Sequence, residues 1–183
     1  MSSDGLDKLF NPRSIAIIGA SLKKGKIGHD VLLNLKEYGY KGKLYPINPK
    51  DSEVMGFKAY PSVIDVKEEI DLAVFAIPAA AVVEAMKECG DKGIKAAIVI
   101  SAGFKETGPE GRKLELELAA AAKEHDIRVL GPNCLGFLSS TAKLNASFAG
   151  VPPLPGDIAF FSQSGALCTA ILDWSVKEKI GFS

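Results

Sequence analysis

Short apolar runs recur along the chain and are separated by longer, mixed segments. The runs cover residues 14–19, 72–77, 96–100 and 128–130, with 43–47 as a weaker fifth candidate, and most of them end at Gly, Pro or Ser. Because their residues are apolar on both faces, the runs are typical of strands in a parallel sheet that is covered by helices on each side. The pattern therefore predicts a buried parallel sheet.

The segments between these runs have helical spacing. Their apolar positions are Val31, Leu32 and Leu35 in the first segment, Val82, Val83 and Met86 in the second, and Leu114, Leu118 and Ala121 in the third. Each set lies on one face of a helix. Strands and helices thus alternate, which predicts an α/β fold with right-handed crossovers, that is, a Rossmann-like doubly wound parallel sheet.

A dense Pro/Gly stretch at residues 151–156 is our predicted domain boundary. We expect one domain over residues 1–150 and the start of a second over 151–183. After the boundary, the pattern predicts a strand at 157–161, a turn at 162–165, and a helix at 166–179 with Leu167, Ile171 and Trp174 on one face. One strand and one helix cannot cover their own apolar surfaces, so we expect a larger, truncated second domain and association with other chains.

Composition narrows the class of protein. The 183 residues carry 22 basic and 22 acidic side chains, so no overall field favours nucleic acid or an anionic membrane. No apolar run approaches the roughly 18 residues of a membrane span. Three widely spaced cysteines favour reduced thiols, and no spacing resembles a zinc site. We therefore expect a cytoplasmic protein with no metal ligands.

A glycine-rich turn follows the first predicted strand and leads into a helix. It consists of Gly19, Ala20, Ser21, Leu22, Lys23, Lys24, Gly25, Lys26, Ile27 and Gly28. Glycines allow a ligand to approach the backbone, and the helix N-terminus and the lysines attract phosphate. The turn is a candidate phosphate site, although an ordinary glycine turn with solvated lysines has the same pattern.

The end of the second strand bears on which nucleotide is bound. An NAD-binding domain places an acidic residue there, about 20 residues after the glycine turn, to bind the ribose hydroxyls. This chain has Asn48, Pro49 and Lys50 instead. A neutral residue followed by a cation favours a ligand with an extra phosphate, such as coenzyme A (CoA) or NADP. Asp51 and Glu53 follow closely and leave NAD open.

Other strand ends add candidate residues at the same edge of the sheet. Pro78 follows the third strand, Ser101, Ala102 and Gly103 follow the fourth, and Asn133 and Cys134 follow the fifth. No histidine has a sequence relation to Cys134 that supports a Cys–His pair, so we interpret this thiol as structural or ligand-lining.

The predicted turn after residue 161 is a second candidate anion site. It contains Ser162, Gln163, Ser164 and Gly165, which offer hydroxyl donors and helix-terminal N–H groups to a phosphate or a phosphorylated side chain. A capped helix without a ligand has the same pattern.

Seven stretches together resemble the α subunit, or α-type half, of ADP-forming acyl-CoA synthetases, which are relatives of succinyl-CoA ligase. They are NPRSIAIIGAS, GKIG, GKLYPINPK, DLAVFAIPA, ISAGFKE, GPNCLG and IAFFSQSGAL, in the family's order. The resemblance implies that the first domain binds CoA through residues 19–28, with Lys50 near the nucleotide phosphates, and that residues 101–103, 133 and 134 line the path to the thiol. It further implies a flavodoxin-like second domain, in which residues 162–165 stabilise a phosphohistidine.

The same resemblance implies that an acid, CoA and ATP are converted to acyl-CoA, ADP and phosphate through an acyl phosphate and a phosphohistidine. Neither His29 nor His125 matches that histidine, so we expect no catalytic residue in this chain. The ATP-grasp β subunit or domain, which binds ATP or ADP and Mg²⁺, would be a partner. Two alternatives stay open: an NAD(P)-binding module of an oxidoreductase or redox sensor, and a CoA-binding regulatory part of a protein acyltransferase.

Overall fold

The computed structural model describes residues 4–183. Residues 1–3, which belong to the expected first domain, lie outside the described residues. The elements are α1 (Asp4–Phe10), β1 (Ser14–Ile18), α2 (Ile27–Glu37), β2 (Lys43–Ile47), β3 (Glu53–Val54), β4 (Phe57–Lys58), β5 (Leu72–Phe75), α3 (Ala79–Asp91), β6 (Ala96–Val99), α4 (Pro109–Glu124), β7 (Arg128–Leu130), β8 (Gly136–Ser139), β9 (Leu144–Ser147), β10 (Leu154–Ile158), α5 (Gly165–Glu178) and β11 (Gly181–Phe182). Short 3₁₀ turns lie at Val63–Asp65 and Lys105–Thr107.

A five-stranded parallel sheet in the order β2-β1-β5-β6-β7 forms the centre of the fold. All five predicted strands are present in it, and the doubly wound α/β prediction is confirmed. In the register, Ile18 pairs with both Ile47 and Phe75, so the carboxyl ends of the three neighbouring strands are level. The chain leaves β1 toward β2 and then returns to β5 on the other side. The topological switch point therefore lies between β1 and β5.

Helices cover both faces of this sheet, as its buried apolar strands require. Along β1, Ile17 faces the core layer that contains Leu35 of α2. The next residue, Ile18, faces the opposite layer, which contains Met86 of α3 and Leu118 of α4. Side chains alternate across a strand, and strands with two apolar faces bury both of them.

A β-hairpin and a short helix complete the layer on the α2 side. The hairpin consists of β8 and β9, whose residues Leu144 and Ala146 are fully buried there. Asn34 of α2 attaches the hairpin, since its Nδ2 donates to the carbonyl oxygens of Ser147 at 2.8 Å and Ala149 at 3.0 Å. Leu9 of α1 packs in the same layer.

The segment after the Pro/Gly stretch begins its strand earlier than predicted. β10 covers Leu154–Ile158 rather than 157–161, and Pro155 lies inside it. The proline is tolerated because β10 pairs only with the two-residue β11 in a small parallel sheet, where few ladder hydrogen bonds are needed. The helix, α5, is close to its prediction.

Of the three residues on the predicted apolar face of α5, Leu167 and Trp174 are exposed and Ile171 is half-buried within the described part of the chain. Leu167 and Trp174 have exposed fractions of 49% and 54%, whereas Leu172 is buried on another face. Phe161, four residues before α5, is 83% exposed. No element in residues 4–183 covers these large apolar side chains. In the same range, no helix has both the length and the apolar character to cross a membrane.

Candidate ligand-binding site

The predicted site residues of the first domain lie at one edge of the sheet. Because the five strands are parallel, their carboxyl ends share this edge, where open α/β sheets bind ligands. The structure therefore brings together the glycine turn after β1, the 48–50 turn after β2, Pro78 after β5, the 101–103 turn after β6 and the 133–134 turn after β7.

The glycine turn starts with a tight reversal at the switch point. Gly19 has a φ of +93°. A Cβ at this residue would lie 2.5 Å from the carbonyl oxygen of Ala76, so only glycine fits between the ends of β1 and β5. The N–H of Gly19 donates to the carbonyl oxygen of Ile47 at 3.0 Å, which joins the turn to the end of β2.

The same turn ends at the N-terminus of α2. Lys26 is the N-cap residue, and no side chain in the described residues caps the helix. The N–H groups of Ile27 and Gly28 belong to the first helical turn, where no intrahelical acceptor is available. Lys23 and Lys24 are exposed beside them. The arrangement combines amide donors, the positive end of the helix dipole and lysine charge, as a phosphate site requires.

The turn after β2 is closely tied to the glycine turn. Nδ2 of Asn48 donates to the carbonyl oxygen of Ala20 at 2.9 Å and to Oδ2 of Asp51 at 2.9 Å. Its Oδ1 accepts the N–H groups of Lys50 at 2.8 Å and Asp51 at 3.2 Å. Pro49 and the Lys50 side chain are exposed.

A mostly apolar groove of about 310 Å³ lies beside the switch point. This volume is at the lower end of small-molecule pockets, which span roughly 300–1,000 Å³. Its walls come from the ends of β1, β2 and β5, from α3 and from residues 61–63. The lining residues are Ile18, Gly19, Ile47, Pro49, Pro61, Ser62, Val63, Ile77, Ala81, Glu84, Ala85 and Glu88.

Two carboxylates give this groove an acidic wall. Glu84 and Glu88 both line it from α3. Oε2 of Glu88 accepts the hydroxyl of Ser62 at 2.7 Å, which joins α3 to the 61–63 segment. An apolar slot with hydrogen-bond acceptors at its wall suits a flat heterocycle that carries an amino group. The sequence pattern did not single out these residues, because glutamates on an amphipathic helix are normally solvated.

The turn after β6 is held by a buried serine and by a glutamate. Oγ of Ser101 accepts the N–H of Ile77 at 3.2 Å and donates to the carbonyl oxygen of Phe75 at 3.4 Å. Oε1 of Glu106 accepts the N–H groups of Gly103 at 2.6 Å and Phe104 at 3.2 Å. The bond from Gly103 is the main reason that the pKa of the exposed Glu106 carboxyl is lowered. Nothing in the sequence pattern distinguishes this glutamate from its solvated neighbours. Ala102, in the same turn, is exposed.

The turn after β7 contains the predicted pair Asn133 and Cys134. Asn133 has a φ of +55°, and its N–H donates to the carbonyl oxygen of Ser101 at 3.0 Å. The two turns therefore contact each other. Sγ of Cys134 points inward and donates to the carbonyl oxygen of Val99 at 3.4 Å. Burial raises the pKa of the Cys134 thiol to about 11, so it is protonated near neutral pH and is a poor nucleophile.

The second predicted anion site is a capped helix N-terminus. Oγ of Ser164 accepts the N–H of Leu167 at 3.3 Å at the start of α5. Oγ of Ser162 in turn accepts the N–H of Ser164 at 3.0 Å. Gln163 and Gly165 are exposed. The cap uses one of the N–H groups in the first turn of α5, that of Leu167.

Both histidines have structural surroundings. His29 is buried in the first turn of α2, with Nδ1 3.1 Å from Oδ1 of Asp30. The ring of His125 packs against Gly90, where a Cβ would lie 2.1 Å from the imidazole Cγ. Within residues 4–183, no group of three or more His, Cys, Asp or Glu side chains is close enough to hold a metal ion.

Fold and site together define a doubly wound α/β domain with a glycine- and lysine-rich turn at its switch point. The family model described as "CoA binding domain" matches residues 13–140, and the chain belongs to this family. A second model, described as "Succinyl-CoA ligase like flavodoxin domain", matches residues 155–183. The resemblance seen in the sequence is confirmed.

Similar proteins are ADP-forming CoA ligases. The chain is 48% identical over 182 residues to "Acetate--CoA ligase [ADP-forming] I subunit alpha" of Pyrococcus furiosus, covering 97% of this chain and 39% of that protein. It is 45% identical over 177 residues to "4-hydroxybutyrate--CoA ligase [ADP-forming]" of Nitrosopumilus maritimus, covering 96% of this chain and 25% of the other. The chain thus spans well under half of these relatives.

A solved structure has the same fold. It is the Ca. Korarchaeum cryptofilum "dinucleotide forming Acetyl-coenzyme A synthetase 1 in complex with phosphate and ADP", with a TM-score of 0.93 and 48% identity. The match covers 97% of this chain and 38% of that one. These comparisons support the ligase interpretation and give no support to the nicotinamide or acyltransferase alternatives.

Proposed function

We propose that this chain is the CoA-binding part of an ADP-forming acyl-CoA synthetase. The complete enzyme would convert an acid, CoA and ATP to acyl-CoA, ADP and phosphate. The observation that carries the proposal is the lysine-flanked N-terminus of α2, which has free first-turn N–H groups and lies at the switch point of a CoA-binding-family domain. The high identity to ADP-forming ligases over nearly the whole chain supports the reaction type.

CoA would lie across the carboxyl edge of the sheet. Its pyrophosphate would accept the N–H groups of Ile27 and Gly28, with Lys23, Lys24 and Lys26 around it. Its adenine would enter the apolar groove, where the carboxylates of α3 accept the amino group, and Lys50 would face the 3′-phosphate. Asn48 and Pro49 in the turn after β2, and Pro78 after β5, would shape the backbone around the nucleotide.

The pantetheine arm would then run along the turns after β6 and β7. The backbone of residues 101–103 offers a surface across which it can extend, since the Ser101 side chain is committed to the backbone at Phe75 and Ile77. Asn133 and Cys134 would line the end of the path. Because the Cys134 thiol is protonated and points inward, it would pack beside the arm and not attack the substrate.

The second segment would contribute the phosphate chemistry of the complete enzyme. We place the domain boundary at residues 150–151, with 151–183 as the first part of a flavodoxin-like domain. Ser162, Gln163, Ser164 and Gly165 would present the N-terminus of α5 to a phosphohistidine located elsewhere in the enzyme. An ATP-grasp β subunit or domain would bind ATP or ADP, Mg²⁺ and phosphate. The apolar surface around Trp174 suits assembly with further protein, and we assign the enzyme to the cytoplasm.

Calorimetric titration of the purified 183-residue chain with CoA, NADH and NADPH tests the proposal. We expect saturable, salt-sensitive binding of CoA and no comparable binding of the nicotinamide nucleotides. Tight NADH or NADPH binding without a response to CoA would overturn the proposed function.

A further inference from the structure

The carboxamide of Asn48 has no hydrogen-bonding capacity left for a ligand. A carboxamide offers two N–H donors and two acceptor lone pairs. Both donors are used, by the carbonyl oxygen of Ala20 and the carboxylate of Asp51, at 2.9 Å each. Both lone pairs are used as well, by the N–H groups of Lys50 at 2.8 Å and Asp51 at 3.2 Å. A direct ligand contact would require breaking one of these bonds.

These bonds join two loops that are far apart in sequence. One bond reaches the glycine turn at Ala20, 28 residues away. Two others hold the backbone that carries Lys50. The main chain of Asn48 adds a third attachment, because its N–H donates to the carbonyl oxygen of Tyr60 at 2.9 Å. Asn48 therefore fixes the distance between the phosphate turn and the exposed cation that follows β2.

The position of Asn48 is the one that meets the ribose in doubly wound domains. In NAD-binding proteins an acidic side chain there accepts the ribose hydroxyls. In this chain the Oδ1 of Asn48 is turned to its own backbone, and one carboxylate oxygen of Asp51 is held by the Asn48 amide. The exposed cation Lys50 follows Asn48 by two residues. A phosphorylated ribose would gain an attraction to the Lys50 charge, whereas a ribose with two free hydroxyl groups would find no free acceptor on Asn48.

We propose that Asn48 is a positioning residue that makes this site selective for 3′-phosphorylated adenine nucleotides, by holding the Lys50 turn against the glycine turn. The inference rests on the proposed CoA-binding function and deepens it. A lysine on an unrestrained loop loses conformational freedom when it binds a phosphate, and a lysine on a fixed turn loses less. Asn48 thus acts through Lys50, without contacting the ligand.

The test compares CoA with 3′-dephospho-CoA on the wild-type chain and on Asn48→Ala, by calorimetry. For the wild type we expect CoA to bind roughly tenfold or more tightly than dephospho-CoA, the usual value of a charged hydrogen bond. For Asn48→Ala we expect CoA affinity to fall toward that of dephospho-CoA, so that the ratio shrinks about fivefold or more. A merely structural loss would weaken both ligands equally and leave the ratio unchanged.

Asn34→Ala is the matched control. Asn34 is also a carboxamide that bonds two distant carbonyl groups, those of Ser147 and Ala149, but it lies away from the carboxyl edge of the sheet. We expect its Tm to fall while the CoA to dephospho-CoA ratio stays at the wild-type value. If Asn48→Ala does not fold, Asn48→Leu keeps the approximate volume of the side chain, adds no charge, removes all four side-chain bonds and should lower the ratio as much.

The outcomes separate this inference from the proposed function. A folded Asn48 variant that keeps the wild-type ratio overturns the positioning role, and so does a wild-type chain that binds both ligands equally; in either case CoA binding still stands. A wild-type chain that does not bind CoA overturns both. An equal change of ratio in Asn34→Ala also counts against a role specific to Asn48.

Discussion

Gly28 packs directly against the carbonyl group of Gly19, so that a Cβ at residue 28 would lie 1.9 Å from the Gly19 oxygen. This contact joins the first turn of α2 to the end of β1 and closes the glycine turn. It places the N–H groups of the helix at the switch point. Glycine is thus required at residue 28 by space, although its backbone is helical.

Gly28→Ala should disrupt this contact. The new methyl group cannot fit, so α2 must move away from β1, and we expect the free energy of unfolding to fall by about 1–3 kcal/mol with a loss of CoA affinity. Gly150→Ala is the control, since a Cβ at Gly150 meets no atom within 4 Å. Chemical denaturation and CoA titration measure the two effects. Equal stability and affinity in both variants would contradict the packing argument.

Reversing the charge of Lys50 should weaken CoA binding without unfolding the protein. The side chain is exposed, and its place in the turn depends on its backbone N–H. We expect Lys50→Glu to cost about 1–3 kcal/mol of binding free energy and to reduce the dependence of affinity on salt. Lys113→Glu, at an exposed position of α4, is the control. A full effect at Lys113, or none at Lys50, would argue against a local phosphate contact.

Cys134 should resist alkylation in the native protein. Because burial raises its pKa to about 11, only about one thiol in a thousand is ionised at pH 8. The pKa of Cys134 is higher in the native protein than in the unfolded chain, so the protonated thiol contributes to stability. This contribution is complete at pH values below the pKa of the unfolded thiol and is lost as the pH rises through about 11. Mass spectrometry after iodoacetamide treatment at pH 8 should show Cys134 unmodified until denaturant is added. Rapid native labelling would show a more reactive thiol than the structure allows.

Glu106 should hold the turn after β6 over a wide pH range. The N–H groups of Gly103 and Phe104 donate to the Glu106 carboxylate and lower its pKa in the native protein. The carboxylate therefore stabilises the turn fully at pH values above the pKa of the unfolded group. This stabilisation is lost only as the pH falls through the lower pKa of the native group. In Glu106→Gln we expect faster hydrogen exchange at both amides near neutral pH, measured by NMR. Glu110→Gln, on the exposed first turn of α4, should leave both amides as protected as in the wild type.

The central sheet could be predicted from the sequence because its strands are apolar on both faces. Residues such as Ile17 and Ile18 point in opposite directions and are both buried. Less could be predicted where burial is partial. The helix α1 has seven residues, of which Leu6 and Phe10 are exposed, so no periodic pattern identifies it. The predicted strand at 157–161 starts three residues later than β10, because the sequence pattern does not show that a strand with one short partner tolerates Pro155.

In the candidate site, the glycine-rich turn could be predicted from the sequence, but the contacts between the turns could not. The turn at residues 19–28 is recognisable because its glycines and lysines are visible in the sequence. The sequence could not show that Asn48 bonds Ala20, since that contact depends on the pairing of β1 with β2. The same holds for Glu106, whose bonds to Gly103 and Phe104 arise from the shape of one turn.

CoA binding at the carboxyl edge of the sheet can be tested by an NMR titration of the ¹⁵N-labelled chain with CoA, alongside an equal titration with NADH. We expect CoA to shift the N–H signals of Ile27, Gly28 and Lys50 and to protect the turns after β6 and β7, while NADH leaves them unchanged. If NADH shifted the signals of the glycine turn and CoA did not, this chain would not be the CoA-binding part of a ligase.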